Sequence, residues 1–204
     1  SAQIGRSLNW TIKPLSPIRR VRGQTLGIVG FGRIGRALAR MALPFGFKII
    51  TYDPYVPQDV VQSAGAVKVE IEELLSSSDF ISFHAPLSKE TEGIIGAREF
   101  ARMKTGVYLV NVARGGLFDE AELAAAIKEG KVAGAALDVL TEEPPRADNP
   151  LLGLDNVIVT PHVAWLSEEA RHDLQSFAAE EVVRVLSGDK LKHCLNPEAQ
   201  NYKK

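Results

Sequence analysis

Thr25-Leu26-Gly27-Ile28-Val29 runs directly into Gly30-Phe31-Gly32-Arg33-Ile34-Gly35. A short apolar run that meets a glycine-rich turn predicts a buried strand over Thr25 to Val29. The residues after it predict a helix over Arg33 to Leu43, with Ile34, Ala37, Leu38 and Met41 on one face and Pro44 ending it. The glycines have separate tasks in such a strand-turn-helix join. Gly30 permits the tight turn, Gly32 lets the backbone approach a pyrophosphate with no Cβ in the way, and Gly35 lets the helix pack close to the strand. Phosphate oxygens would accept hydrogen bonds from the unsatisfied N–H groups around Arg33 and Ile34, where the helix dipole also favours negative charge.

The same alternation continues on the C-terminal side. Strands are expected at Phe47 to Tyr52, Asp79 to Phe83, Val107 to Val112, Val132 to Leu137 and Val157 to Thr160, with a short candidate at Ala66 to Val69. Asp119 followed by Glu122 marks a helix start, Leu123 and Ile127 give that helix an apolar face, and Gly130 stops it. A long helix over Ser167 to Leu186 carries Ala170, Leu174, Phe177, Ala178 and Val182 at helical spacing, and Gly188 closes it. Strands alternating with helices imply an α/β fold with a doubly wound parallel sheet, the Rossmann arrangement for dinucleotides. Asp53 closes the second strand, 18 residues after Gly35. Its carboxylate would accept from both adenosine ribose hydroxyls and repel a 2′-phosphate, and Pro54, Tyr55 and Val56 supply no cation to hold one. NAD is therefore expected rather than NADP.

Each expected strand is followed at once by a polar or glycine-rich cluster: Gly30 to Gly35, Asp53, His84-Ala85-Pro86, Ala113-Arg114-Gly115-Gly116, Asp138 and Pro161-His162. In a parallel sheet the carboxyl ends of the strands share one edge, so these residues would meet in one crevice. Arg114 suits bidentate capture of a carboxylate or a ketone oxygen. His162 is the candidate acid–base group, because an unperturbed imidazole titrates near neutrality. A carboxylate beside it would favour imidazolium, and Glu142 and Glu143 are the nearest in sequence.

Composition narrows the classes further. Of 204 residues, 45% are hydrophobic and 24% charged, and 24 Lys plus Arg against 25 Asp plus Glu leave a net charge of -1, so no basic excess points to nucleic acid. The densest basic cluster, Arg19-Arg20-Val21-Arg22, reads as solvated surface. No apolar run is long enough to span a bilayer. The single cysteine, Cys194, has no partner for a disulfide or a metal site. A reducing cytoplasm and no metal are the expectations.

Together these motifs resemble the D-2-hydroxyacid dehydrogenases, a family dependent on nicotinamide cofactors. The resemblance is carried by Thr25 to Gly35, Tyr52-Asp53-Pro54, His84-Ala85-Pro86-Leu87 with Glu90-Thr91, Asn111 to Asp119, Gly134 to Pro144, and Thr160 to Ser167. It implies that the catalytic arginine is Arg114, the glutamate is Glu143, directly before Pro144, and the histidine is His162. It places Arg33 and Ile34 at the pyrophosphate, Asp53 at the ribose, Val112, Ala113 and Arg114 beside the nicotinamide, and Asp138 at the carboxamide. His84, Ala85, Pro86, Thr91, His162 and Ala164 complete the expected cofactor contacts. The implied reaction is hydride transfer between NAD(H) and a small D-2-hydroxy or 2-keto acid, in a homodimer.

Thr160-Pro161-His162-Val163-Ala164-Trp165 is similar to the branch that holds phosphoglycerate dehydrogenase-like enzymes and the C-terminal-binding protein corepressors. That branch brings a rival reading, an NADH-sensing binding scaffold without chemistry. Trp165 would either line the substrate end of the crevice or be an ordinary buried or rim tryptophan. The family's N-terminal segment of about a hundred residues, a typical small domain, is expected to lie outside this chain and to build most of the substrate domain. Residues 1–13 are then a connecting segment, 14–166 the dinucleotide-binding domain, and 167–204 a helix and tail returning toward the substrate domain. Such a chain alone is expected to bind NAD and to turn over very slowly.

Overall fold

The computed structural model describes residues 19–192 and 194–196. Among them seven parallel strands form one sheet: β1 (Thr25–Val29), β2 (Lys48–Tyr52), β3 (Val67–Lys68), β4 (Phe80–Phe83), β5 (Val107–Asn111), β6 (Val132–Leu137) and β7 (Val157–Val159). Their order is β3-β2-β1-β4-β5-β6-β7. The chain lays β1 to β3 outward on one side, then returns to place β4 on the other flank of β1. The direction of winding therefore reverses between β1 and β4, the position where such sheets open a crevice for a ligand.

Parallel neighbours need crossovers, and helices supply them. These are α1 (Arg33–Ala42, running into a 3-10 turn at Leu43–Phe45), α2 (Gln58–Ser63), α3 (Ile71–Ser77), α4 (Ala97–Arg102) and α5 (Glu120–Lys128). Helices α1 and α2 bury Ala39 and Val61 with Ile28 of β1 and Ile49 of β2. On the opposite face α3, α4 and α5 bury Leu74, Phe100 and Leu123 with Val29, Ile81 and Phe83. Alternate residues of one strand thus feed separate cores, as the two-residue period of a strand requires.

The register fixes what lies on the carboxyl edge. Val29 pairs with both Tyr52 and Phe83. Phe83 pairs with Asn111, Asn111 with Leu137, and Leu137 with Val159. The next residues along each strand, Asp53, Gly30, His84, Val112, Asp138 and Thr160, consequently stand in one row.

One expectation is corrected in part. Of the face expected for α1, Leu38 packs against the core, but Ile34 and Met41 are each 64% exposed; the buried residues of the helix are Gly35, Ala39 and Ala42. Small residues bring the helix close to β1, and a Cβ on Gly35 would collide with the Gly30 carbonyl oxygen. Helices α2, α3 and α4 were not expected, being too short to show an apolar period. The start of α5 is as predicted, with Asp119 Oδ1 accepting from the Ala121 and Glu122 N–H groups at 3.0 and 3.1 Å.

The described residues divide into two compact units between His162 and Val163. The second contains α6 (Glu168–Leu186), capped by Ser167 Oγ, which accepts from Ala170 N–H at 3.0 Å. No residue of α6 is buried, and Leu174, Phe177 and Val182 are exposed. The expected connecting segment 1–13 and the end of the tail, 197–204, lie outside the described residues.

Candidate active site

At the first turn Gly30 has φ 90°, a left-handed conformation, and a Cβ there would sit 2.6 Å from Ala85 N. Only glycine meets both demands without strain. Gly32 precedes α1, where no side chain caps the helix and where a Cβ would meet nothing within 4 Å. The first turn of α1, with Arg33 and Ile34 exposed, therefore faces open space with uncapped N–H groups. That arrangement fits a pyrophosphate.

Asp53 stands beside this turn. Its Oδ2 accepts from Phe31 N–H at 2.7 Å, and Oδ1 accepts from Tyr55 and Val56 N–H at 2.9 and 3.1 Å. A carboxylate has about four acceptor positions, so about one is left, enough for a single direct ribose hydroxyl bond in this arrangement. A cation that the sequence reading missed lies close by. Lys68 of β3 donates to the Val56 carbonyl at 2.7 Å.

His84 follows β4. Its Nε2 is 2.8 Å from Ser82 Oγ, while Nδ1 is buried without a hydrogen-bond partner. Burial lowers the His84 pKa from its ordinary 6.5, which favours a neutral ring. Ala85 is buried against Gly30. The Thr91 hydroxyl donates to the Pro86 carbonyl at 2.6 Å and accepts from Ser88 N–H at 2.8 Å, so it braces the loop.

The arginine loop is pinned from below by Asn111, a fully buried residue that the motif contained but to which no task was given. Asn111 Oδ1 accepts from Ala113 N–H at 2.9 Å, and Nδ2 donates to the Arg114 carbonyl at 2.8 Å. Arg114 itself is exposed, with Nη1 donating to the Ala113 carbonyl at 2.6 Å. Val112 and Ala113 are partly buried beside it. The next residue, Gly115, is wedged against another loop, because a Cβ there would overlap the Leu140 carbonyl group.

Through that contact the arginine loop meets the glutamate loop. Leu140 N–H donates to Glu143 Oε1 at 3.1 Å, and Glu143 Oε2 lies 2.7 Å from His162 Nδ1. The bond from the His162 side chain holds the Glu143 carboxyl below its ordinary 4.5, with the Leu140 amide acting in the same direction. Of the two glutamates left open by sequence spacing, Glu143 is the one that meets His162. The histidine backbone is strained, with φ 55°, rare for a residue with a side chain. Its N–H donates to the carbonyls of Asp138 and Thr160 at 2.9 and 3.0 Å. Asp138, 5% exposed, accepts from the Thr160 hydroxyl at 2.5 Å and gives its N–H to the Asn111 carbonyl at 2.9 Å.

Close packing sets Gly30 against Ala85, with Asp53 bonded to Phe31 of the same turn, and local bonds join Arg114, Asp138, Glu143 and His162 through Asn111, Leu140 and Thr160. Both groups belong to the one row at the carboxyl edge. Ala164 and Trp165 belong to the second unit. Among the described residues no group of three or more His, Cys, Asp or Glu could hold a metal ion. A cation to grip an organic acid, an acid–base imidazole with an orienting carboxylate, and an anion-ready helix start suit redox chemistry on a small organic acid with a dinucleotide.

Comparison with known proteins agrees with this chemistry. Residues 2–164 match the family described as D-isomer specific 2-hydroxyacid dehydrogenase, NAD binding domain. A D-3-phosphoglycerate dehydrogenase of Methanocaldococcus jannaschii is 49% identical over 85% of this chain, which spans 33% of that protein. A hydroxypyruvate reductase of Blautia hydrogenotrophica is 42% identical over 84% of the chain, covering 53% of that protein. Among solved structures, D-lactate dehydrogenase from Aquifex aeolicus complexed with NAD and lactic acid superposes with a TM-score of 0.85 at 33% identity, over 92% of this chain and 61% of that one.

Proposed function

Because the chain belongs to the D-isomer specific 2-hydroxyacid dehydrogenases, as their NAD-binding domain, we propose that it serves hydride transfer between NAD(H) and a small D-2-hydroxy or 2-keto acid. The observation that carries this reading is the 2.7 Å contact of Glu143 Oε2 with His162 Nδ1, on the same sheet edge as the glycine turn.

The nicotinamide, when bound, supplies or accepts the hydride. Every other part falls to the chain's own groups. Gly32, Arg33 and Ile34 would hold the pyrophosphate, Asp53 the ribose, and Val112, Ala113 and Asp138 the nicotinamide end. Arg114 would bind the substrate carboxylate and polarise its carbonyl. Since Nδ1 of His162 is engaged by Glu143, Nε2 is the atom that would deliver a proton to the carbonyl oxygen in reduction and remove one from the hydroxyl in oxidation. Glu143 would orient the ring and stabilise imidazolium. The left-handed backbone at His162 costs about 1–3 kcal/mol, and the two bonds from its N–H help to hold it there.

As the chain spans 33% of the phosphoglycerate dehydrogenase it matches, the activity is that proposed for the protein of the intact gene, with a homodimer in a reducing cytoplasm as its setting. Cys194 is the sole cysteine, and among the described residues no helix is long and apolar enough to cross a membrane. The relatives named above are enzymes, and no observation favours the binding-scaffold reading. The test is a panel of 2-keto acids with NADH, using the protein of the intact gene. Turnover is expected on at least one acid and is expected to be lost in Arg114→Ala and His162→Ala. Turnover unchanged in both variants would overturn the roles of Arg114 and His162.

A further inference from the structure

Glu120 is the first residue of α5. Its Oε1 accepts from Thr141 N–H at 2.6 Å, and its Oε2 accepts from Asn149 Nδ2 at 2.7 Å. Thr141 stands two residues before Glu143 and Asn149 six after it. One carboxylate therefore grips both ends of the loop that presents Glu143.

Two further observations show that this grip matters. Asn149 Oδ1 accepts from the N–H of Leu151, which is 1% exposed, so the amide is oriented with its NH2 toward Glu120 and the pairing cannot be reversed by a flip. Beside the loop a shallow, solvent-open depression of about 390 Å³ has Glu120, Thr141, Arg146, Asn149 and Pro150 in its walls. Residues 141–144 are exposed, whereas Leu140 and Leu151 are core residues. The loop thus runs over the surface between two apolar anchors, and polar bonds must set its course.

We propose that Glu120 is a positioning residue, a two-point clamp that holds the loop from Thr141 to Asn149 so that Glu143 meets His162 in register. This rests on the reading of Glu143 and His162 as the acid–base pair and adds a residue that acts on them only through Thr141 and Asn149. The geometry of such a pair is where small displacements are most costly, since a shift of about 1 Å can lower a rate by two orders of magnitude.

A polarity swap tests the clamp in the protein of the intact gene. Glu120→Gln sets an NH2 group against that of Asn149, and Asn149→Asp sets a carboxylate against that of Glu120. In the double variant the introduced glutamine can donate from Nε2 to the introduced aspartate while its Oε1 still accepts from Thr141 N–H. The second oxygen of that aspartate can still accept from Leu151 N–H. Each single variant is expected to lower kcat about tenfold or more, with KM and NADH affinity within about twofold, and the double variant to recover most of the loss. Amide exchange at Leu140, whose N–H donates to Glu143 Oε1, is expected to quicken in each single variant and to slow again in the double one. Glu143→Gln, measured alongside, separates two failures. If it leaves kcat unchanged, the acid–base reading falls. If it lowers kcat while the single swaps do not, or while the double variant recovers neither kcat nor exchange protection, the clamp is overturned.

Discussion

Glu143 Oε2 and His162 Nδ1 stand 2.7 Å apart across 19 residues of sequence, and each belongs to a loop that follows a different strand. The contact lowers the Glu143 pKa from 4.5, chiefly through the bond with the His162 side chain. Glu143→Gln keeps the shape and removes the charge, so turnover is expected to fall about a hundredfold in the protein of the intact gene, in the range typical of acid–base groups. The sign of the stability effect follows from the lowered pKa. The ionised Glu143 carboxylate stabilises the fold above 4.5 and loses its contribution as pH falls through the lower folded value. Thermal melts should show Glu143→Gln converging on the parent chain below 4.5, and a gap that stays constant there would contradict this.

His84 gives a second pH signature. Burial lowers its pKa from 6.5, so the unfolded chain takes up its proton first as pH falls. Stability is full above 6.5 and declines as pH drops from 6.5 toward the folded value. His84→Gln, which cannot titrate and can still reach Ser82, is expected to flatten the Tm profile in that window. Identical profiles for the two proteins would show that His84 does not titrate on unfolding.

Gly30→Ala introduces a side chain at φ 90° with Ala85 N at 2.6 Å. Neither partner is a flexible side chain, so the expected loss is roughly 2 kcal/mol or more, or about 4–8 °C in Tm for a chain of this length. NADH affinity should fall with it. A variant with unchanged Tm would show that the turn relaxes more easily than its geometry implies.

Asp79 offers a control at the opposite edge of the sheet. Burial works to raise its pKa, but the Thr25 N–H at 2.8 Å and Lys104 Nζ at 3.0 Å outweigh it and leave the carboxyl below 3.8. Asp79→Asn is expected to cost about 1–3 kcal/mol at neutral pH, a difference that vanishes as pH falls through the folded value. NADH binding should be unaffected, because the proposed cofactor edge lies at the other ends of β1 and β4. Weakened binding beyond the loss of folded protein would count against this placement of the site.

The row of site residues was legible because it depends on one rule: in a parallel sheet, whatever follows each strand lies on a common edge. Gly30, Asp53, His84, Asp138 and the loops bearing Arg114 and His162 all obey it. Short elements were not legible. Helix α2 buries only Val61 and α4 only Phe100, so neither repeats an apolar position often enough to display a period. The face of α1 was legible at Leu38 but not at Ile34 and Met41, because close packing against β1 uses the small residues Gly35, Ala39 and Ala42. The partners that position the site were hidden for another reason. Asn111 under the arginine loop, Thr160 on Asp138, Lys68 at Val56 and Glu120 beneath the glutamate loop are defined by which elements touch, and sequence spacing does not contain that information.

Titration of the chain with NADH and NADPH, followed by nicotinamide fluorescence, tests most directly whether this carboxyl edge binds NAD across the glycine turn with Asp53 selecting the ribose. Saturable binding of one NADH per chain is expected, with NADPH weaker by about tenfold or more and NADH weakened by about the same factor in Asp53→Ala, roughly 1.4 kcal/mol. No saturable NADH binding by the folded chain, or equal affinity for both dinucleotides with and without Asp53, would contradict it.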